Sequence, residues 1–192
     1  MRIRPTLTRC GAVGSLMLAL AGLGCKDNLG LPPASFSNVV DTVTLYALRG
    51  TPIGEPSGYN IVSGVTARTD RVAEFDFAFD LAPSGEAQVI PAKVLGLILV
   101  SNPALQIVTQ PFDSLVTAPV DGYSDSTIAV VAVNTVFVGR SRLTSCGFAG
   151  SLPRYGKFRV LAIDAQVRTL RLEALVNTNC GYRALVPGVP TS

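Results

Sequence analysis

Val72 to Leu81, VAEFDFAFDL, sets the strictest limit on what this chain can become. Phe75, Phe77, Phe79 and Leu81 recur at every second position, and Glu74, Asp76 and Asp80 fall on the alternate positions. Successive side chains of a strand point to opposite faces. The spacing therefore predicts a half-buried strand, aromatics in the core and acids in water. A helix would scatter the same residues around its axis.

The same period-two signature recurs along the chain. Val39 to Arg49 alternates Val43, Leu45 and Ala47 with Thr42, Thr44 and Tyr46. Tyr59 to Ser63 is a short strand candidate. Lys93 to Ser101, KVLGLILVS, is apolar on both faces and predicts a central strand. Leu105 to Val116 holds one or two short strands around Pro111, and the proline points to an edge or a bulge. Thr127 to Val138, TIAVVAVNTVFV, predicts one long strand in which Asn134 needs polar partners if buried. Lys157 to Gln166 and Thr169 to Asn177 predict an antiparallel hairpin, with Leu170, Leu172, Ala174 and Val176 inward and Arg171 and Glu173 outward. Tyr182 to Val186 adds a last strand. Gly- and Pro-bearing loops separate these runs, for example Gly50 to Gly58 and Gly147 to Gly156. About nine or ten short strands with turn signals between them, and no amphipathic helix, predict a single antiparallel β-sandwich.

The N-terminus has a different character. Arg2, Arg4 and Arg9 precede an uncharged apolar run from Gly11 to Gly24. That run is shorter than the roughly 20 residues a membrane-spanning helix needs, so it reads as a cleaved export signal. It ends in Gly22-Leu23-Gly24-Cys25, which resembles the lipobox of bacterial lipoproteins. Gly24 and Cys25 follow that pattern, while Gly22 and Leu23 depart from it. The resemblance covers the signal alone. It implies that Cys25 is lipidated and becomes the mature N-terminus. Lys26, with no Asp directly after the cysteine, then implies the outer membrane. The competing reading is cleavage after Ala19-Leu20-Ala21, which releases a soluble protein from Gly22. Cysteine arithmetic favours lipidation. Cys10 leaves with the signal, and soluble export would leave Cys25, Cys146 and Cys180, an odd number in an oxidising compartment. Lipidation leaves Cys146 and Cys180 to pair as a structural disulfide. The expected organisation is residues 1–24 as signal, 25–37 as lipidated cysteine and Gly/Pro/Ser-rich tether, and 38–192 as the β-domain.

Charge excludes one class of partner. The chain is +3 in total, but three of its sixteen basic residues lie in the signal. The mature part balances thirteen basic against thirteen acidic residues, so nothing in its net charge points to nucleic acid. The balance is uneven along the chain. Residues 26–139 carry five basic and eleven acidic residues, and residues 140–192 carry eight basic and two acidic.

Chemistry is sparse. The chain has no histidine, which removes Ser-His-Asp and Cys-His catalysis and His-bearing metal sites. There is no phosphate-binding or dinucleotide motif, and no cofactor is implied. Glu74, Asp76 and Asp80 are candidate catalytic carboxylates. Neighbours on one strand face lie about 7 Å apart, within the ~5–9.5 Å used by glycoside hydrolases. A solvated sheet face is the favoured reading. Asp121 and Asp125 in DGYSDS are candidate Ca²⁺ ligands, but a site needs about six to eight oxygens and an Asx-type turn is the favoured reading. Arg154, Lys157, Arg159, Arg168, Arg171 and Arg183 are candidate contacts for an anionic glycan, lipid head group or acidic protein, set against the reading that they balance the acidic first part. The expectation is a membrane-tethered envelope lipoprotein that binds or scaffolds. The alternatives are a carboxylate-dependent hydrolase of envelope glycans and an assembly subunit using an exposed strand edge.

Overall fold

The computed structural model describes residues 30–97, 99 and 101–191. The expected signal, the lipobox-like segment and Cys25 lie outside the described residues. Among the described residues twelve strands form in chain order: β1 (Val40–Tyr46), β2 (Gly58–Asn60), β3 (Val65–Ala67), β4 (Phe77–Leu81), β5 (Ala87–Pro91), β6 (Ala104–Val108), β7 (Ala129–Val131), β8 (Val136–Arg140), β9 (Thr144–Ser145), β10 (Ser151–Leu152), β11 (Tyr155–Asp164) and β12 (Thr169–Asn177). One five-stranded sheet runs β1-β12-β11-β8-β6 and the other β3-β2-β4-β5-β7, with β9-β10 as a separate ribbon. All the ladders are antiparallel. The two large sheets pack face to face as the β-sandwich that the alternation predicts.

The core rests on two cross-strand aromatic pairs. Tyr59 sits opposite Phe77 on β2 and β4, and Phe137 opposite Phe158 on β8 and β11. Each pair is stacked, with ring centroids 5.4 and 5.0 Å apart. The pairs meet edge to face across the sandwich: Tyr59–Phe158 and Phe77–Phe158 at 5.2 Å, Phe77–Phe137 at 5.7 Å. Offset stacks and T-shaped contacts are the favoured aromatic geometries. Gly139 and Gly156 face each other in the same ladder. A Cβ on Gly156 would lie 3.0 Å from the Phe158 ring, and one on Gly139 would lie 2.5 Å from Ile61. The two missing side chains make room for the rings.

Each sheet is also covered on its outer face. Val136, Val138 and Leu175 form a second cluster with Phe112, Leu115, Ala118 and Leu185. That cover explains why Leu175 is buried beside the inward-facing Leu172 and Ala174 on β12. Ala67, Phe75, Ala78 and Ala92 seal the outside of the other sheet.

Several expectations change here. The described residues of the run Lys93–Ser101 form no strand. β5 ends at Pro91, one last cross-strand bond runs from the Ala92 N–H to the Asp76 carbonyl at 3.1 Å, and Ala92–Leu95 is a 3₁₀ turn closed by Gly96 in the left-handed region at φ 85°. The run Thr127–Val138 breaks in two. Asn134, at φ 71°, is exposed in the turn rather than buried in a strand, and Asn tolerates that conformation. The turn carries the chain from β7 in one sheet to β8 in the other. Phe75 leaves the Phe77–Phe79 face, because the strand starts only at Phe77. Tyr182–Val186 makes a single bridge, Ala184 to Thr117, in place of a last strand. Residues 32–37 do not hang free. The Asn179 side chain accepts from the N–H groups of Ser35 and Phe36 at 2.9 and 3.0 Å and donates to the Phe36 carbonyl at 2.8 Å. Tyr182 Oη donates to the Pro32 carbonyl. The segment read as tether is therefore a strap on the domain from about Leu31 onward.

Truncating Phe77 or Phe158 to Ala is expected to cost about 3–5 kcal/mol, as for other buried aromatics. Urea melts of the two variants measure it.

Candidate functional site

The three carboxylates of the 74–80 stretch have different fates. Glu74 is exposed and pairs with Arg142 at 3.0 Å. Asp76 and Asp80 are 1% and 2% exposed, so the expectation that both face water is wrong. Asp76 Oδ2 accepts from the Ile61 N–H at 2.6 Å, and Oδ1 accepts from the Arg142 N–H at 3.2 Å and its guanidinium at 3.4 Å. Ile61 follows β2 and Arg142 follows β8, so this one carboxylate ties the two sheets together. Burial pushes the Asp76 carboxyl above the usual carboxylate range, against the opposing pull of Arg142 and the nearby backbone N–H groups. Asp80 accepts from Arg49 Nε at 2.6 Å and from the Leu81 N–H at 2.9 Å, with Arg168 at 3.5 Å. The outer face of this sheet is covered, so the acids on it need partners, and those partners come from far along the chain. Glu74, Asp76 and Asp80 do not present a pair of carboxylates to a common cleft.

The basic candidates are mostly engaged inside the fold. Lys157 is 3% exposed on the outer face of its sheet. Its Nζ donates to the carbonyls of Phe112 and Leu115 at 2.7 and 3.1 Å and lies 4.4 Å from the Phe112 ring centre. Burial lowers its pKa. Arg154 donates to the Val62 carbonyl at 2.6 Å, and Arg183 to the Ala118 carbonyl. Arg159 pairs with Glu173 at 2.7 Å and Asp113 at 3.7 Å. Arg168 donates to the Arg49 carbonyl. Arg171 alone of the six is exposed and has no side-chain bond among the described residues. The acidic and basic parts of the chain thus meet in pairs such as Arg142–Asp76, Arg159–Asp113 and Arg168–Asp80.

Asp125 accepts from Lys93 at 2.8 Å and from Asn102 at 3.3 Å, while Asp121 is exposed. Among the described residues no three His, Cys, Asp or Glu side chains gather to hold a metal.

The remaining feature is one end of the sandwich. Cys146 and Cys180 form a disulfide, with Cα atoms 5.8 Å apart, as expected from their place at strand ends. The bridge joins the β8–β10 excursion to the chain leaving β12. Gly181 donates to the Pro153 carbonyl, and Leu31 and Leu152 close over Gly181 at φ 75°. Asn179, next to the disulfide, clamps the N-terminal strap. A shallow cleft of about 460 Å³ lies there between Leu31 and Leu152, with Phe148 on its rim. Sequence reasoning found the cysteines but not the strap, because a Gly/Pro/Ser-rich stretch looks like a tether whether or not a distant Asn holds it.

Asp76→Ala is expected to cost about 1–3 kcal/mol for each of the two N–H groups it leaves without an acceptor, while the Arg142 guanidinium keeps Glu74. The pH dependence has a definite sign. With its folded pKa raised, Asp76 binds its proton more tightly in the folded chain. Its contribution to stability therefore falls as pH rises from the ordinary carboxylate range to the raised value, and is level above that. The stability of wild type relative to Asp76→Asn should be greater near pH 4 than near pH 7 in urea melts. A difference that grows with pH contradicts this.

Replacing both Cys146 and Cys180 with Ser is expected to cost about 3–4 kcal/mol, because the bridge spans 34 residues. Thermal melts of the oxidised wild type against the double variant test this.

No protein-family model matches the chain, and neither a curated protein nor a solved structure does.

Proposed function

We propose that this chain is an envelope lipoprotein, anchored by a lipid on Cys25 in the outer membrane, whose β-sandwich binds or scaffolds. Cysteine pairing carries the reading. The domain's two cysteines are consumed by one disulfide, which leaves Cys25 as the odd thiol directly after an apolar, uncharged export segment. An odd exported thiol invites mispairing, and acylation removes it. The domain itself is stitched by buried ion pairs and a staple, as suits a small module held outside the cell. The ligand class that fits is an envelope protein or an anionic glycan, met through Arg171 and the exposed rims of the sheets. The glycan-hydrolase alternative draws little support, because Asp76 and Asp80 already have their oxygens taken by backbone N–H groups and guanidinium groups.

Intact mass and detergent partitioning of wild type against Cys25→Ala test the anchor. The expected outcome is an acylated mass beginning at Cys25, with partition into detergent that the variant loses. An unacylated wild-type mass beginning at Gly22 overturns it.

A further inference from the structure

We propose that the disulfide end of the sandwich is a membrane-contact face, and that Phe148 enters the lipid interface beside the anchor. The inference deepens the lipoprotein reading and rests on it for the natural source of the anchor.

The first observation is Phe148 itself. It is fully exposed, the most exposed large apolar side chain described. It does not sit on a loose loop. Gly147–Ala149 is a 3₁₀ turn, the Cys146 N–H donates to the Gly150 carbonyl at 2.7 Å, and the Gly150 N–H donates back to Gly147 at 3.1 Å. The β9–β10 ribbon and the disulfide fix its base. A bulky ring on a braced post, turned wholly to water, is the geometry of a group that meets an apolar surface.

The second is the absence of charge in the segments that carry it, which Asp41, Arg142, Arg154 and Arg183 border. Residues 30–40, 143–153 and 174–182 contain no Asp, Glu, Lys or Arg, although 15% of the chain is charged. These three segments are the ones that the disulfide, the Asn179 clamp and the Gly181–Pro153 bond hold together. Leu143 and Phe36, at 46% and 62% exposure, add apolar surface on the same segments. A face pressed toward a bilayer interface gains from aromatic and aliphatic groups and loses from buried charge.

The third is reach. Leu31 lines the same cleft as Phe148. From Cys25 to Leu31 the fully extended chain spans at most about 20 Å. A lipid on Cys25 therefore keeps this end of the sandwich within about 20 Å of the bilayer. The occupant of the face follows from where the chain leaves the domain.

The test uses the mature chain from Cys25 to Ser192, coupled through the Cys25 thiol to maleimide lipid in phosphatidylethanolamine/phosphatidylcholine vesicles. The remaining cysteines are in the disulfide, so Cys25 is the coupling site. The sequence has no tryptophan, so Phe148→Trp provides a single indole. Its emission should shift to the blue on coupling and be quenched by brominated lipid. Ile53→Trp, at an exposed position in the loop beyond the far end of β1, should keep water-like emission. In wild type, amides 147–149 should exchange several-fold more slowly on coupled vesicles, and Phe148→Asp should abolish that protection. Unchanged indole emission from the Phe148→Trp variant, together with unchanged exchange in wild type, overturns the proposal. Chemical coupling supplies the anchor, so this result stands whether or not Cys25 proves to be acylated in the cell. Intact mass reads that separately.

Discussion

Everything in this fold is indexed to the meeting of two stacked aromatic pairs. Each pair belongs to one sheet and is set by strand register: Tyr59 with Phe77, Phe137 with Phe158. A slip of one residue in either ladder would turn a ring to the opposite face and dissolve both its stack and its edge-to-face contacts. Such contacts are worth about 0.5–1.5 kcal/mol each beyond burial. Their larger effect is on specificity, since they lock the registers of two sheets to each other. Gly139 and Gly156 belong to the same device. They leave open the space into which the Phe158 ring and Ile61 settle.

Charge enters the interior only where it stitches. Asp76 links the exit of β2 to the exit of β8, and Asp80 gathers the loop after β1 and the β11–β12 turn through Arg49 and Arg168. Lys157 pins the 112–115 turn to the outside of its sheet through two carbonyls. Buried ion pairs contribute little net stability against well-packed apolar groups. What they add here is attachment of irregular segments that offer few apolar contacts of their own. The covers in turn explain how sheets this small are apolar on both faces.

Local pattern made part of this legible. The alternation of Phe77, Phe79 and Leu81, the 157–177 hairpin and the cysteine pair all follow from period two, turn residues and the place of the cysteines at strand ends. What stayed hidden depends on pairings far apart in sequence. VAEFDFAFDL does not say that its acid face will be roofed, because Arg49 and Arg142 lie 31 and 66 residues from their partners. The run TIAVVAVNTVFV looks continuous until Asn134 turns left-handed and sends its halves to different sheets. KVLGLILVS has the composition of a core strand, yet Pro91 and Gly96 bracket its start into a turn. For the candidate site the cysteines were visible and the face around them was not, since three uncharged segments acquire meaning only when they are brought together.

The two ends of the sandwich carry different burdens. The end at the Arg49 loop and the β11–β12 turn is polar, with Asp80, Arg49 and Arg168 in one network. At the other end, the strap, the Cys146 ribbon and residues 174–182 carry no charged side chain, and the disulfide staples the last two together. The ion pairs at this end, Arg142 with Asp76 and Glu74, tie the sheets together and include none of these residues, so the three segments are ordered by other means. The disulfide, the Asn179 amide and the packing of Leu31 and Leu152 over Gly181 supply that order without charge. Bracing of this kind leaves Phe148 exposed on a fixed support instead of folding it back into the cleft beside it. Rigid presentation matters because an ordered ring loses less freedom on contact than one on a mobile loop. The same staple that stabilises the fold thus fixes the surface nearest to the N-terminal strap.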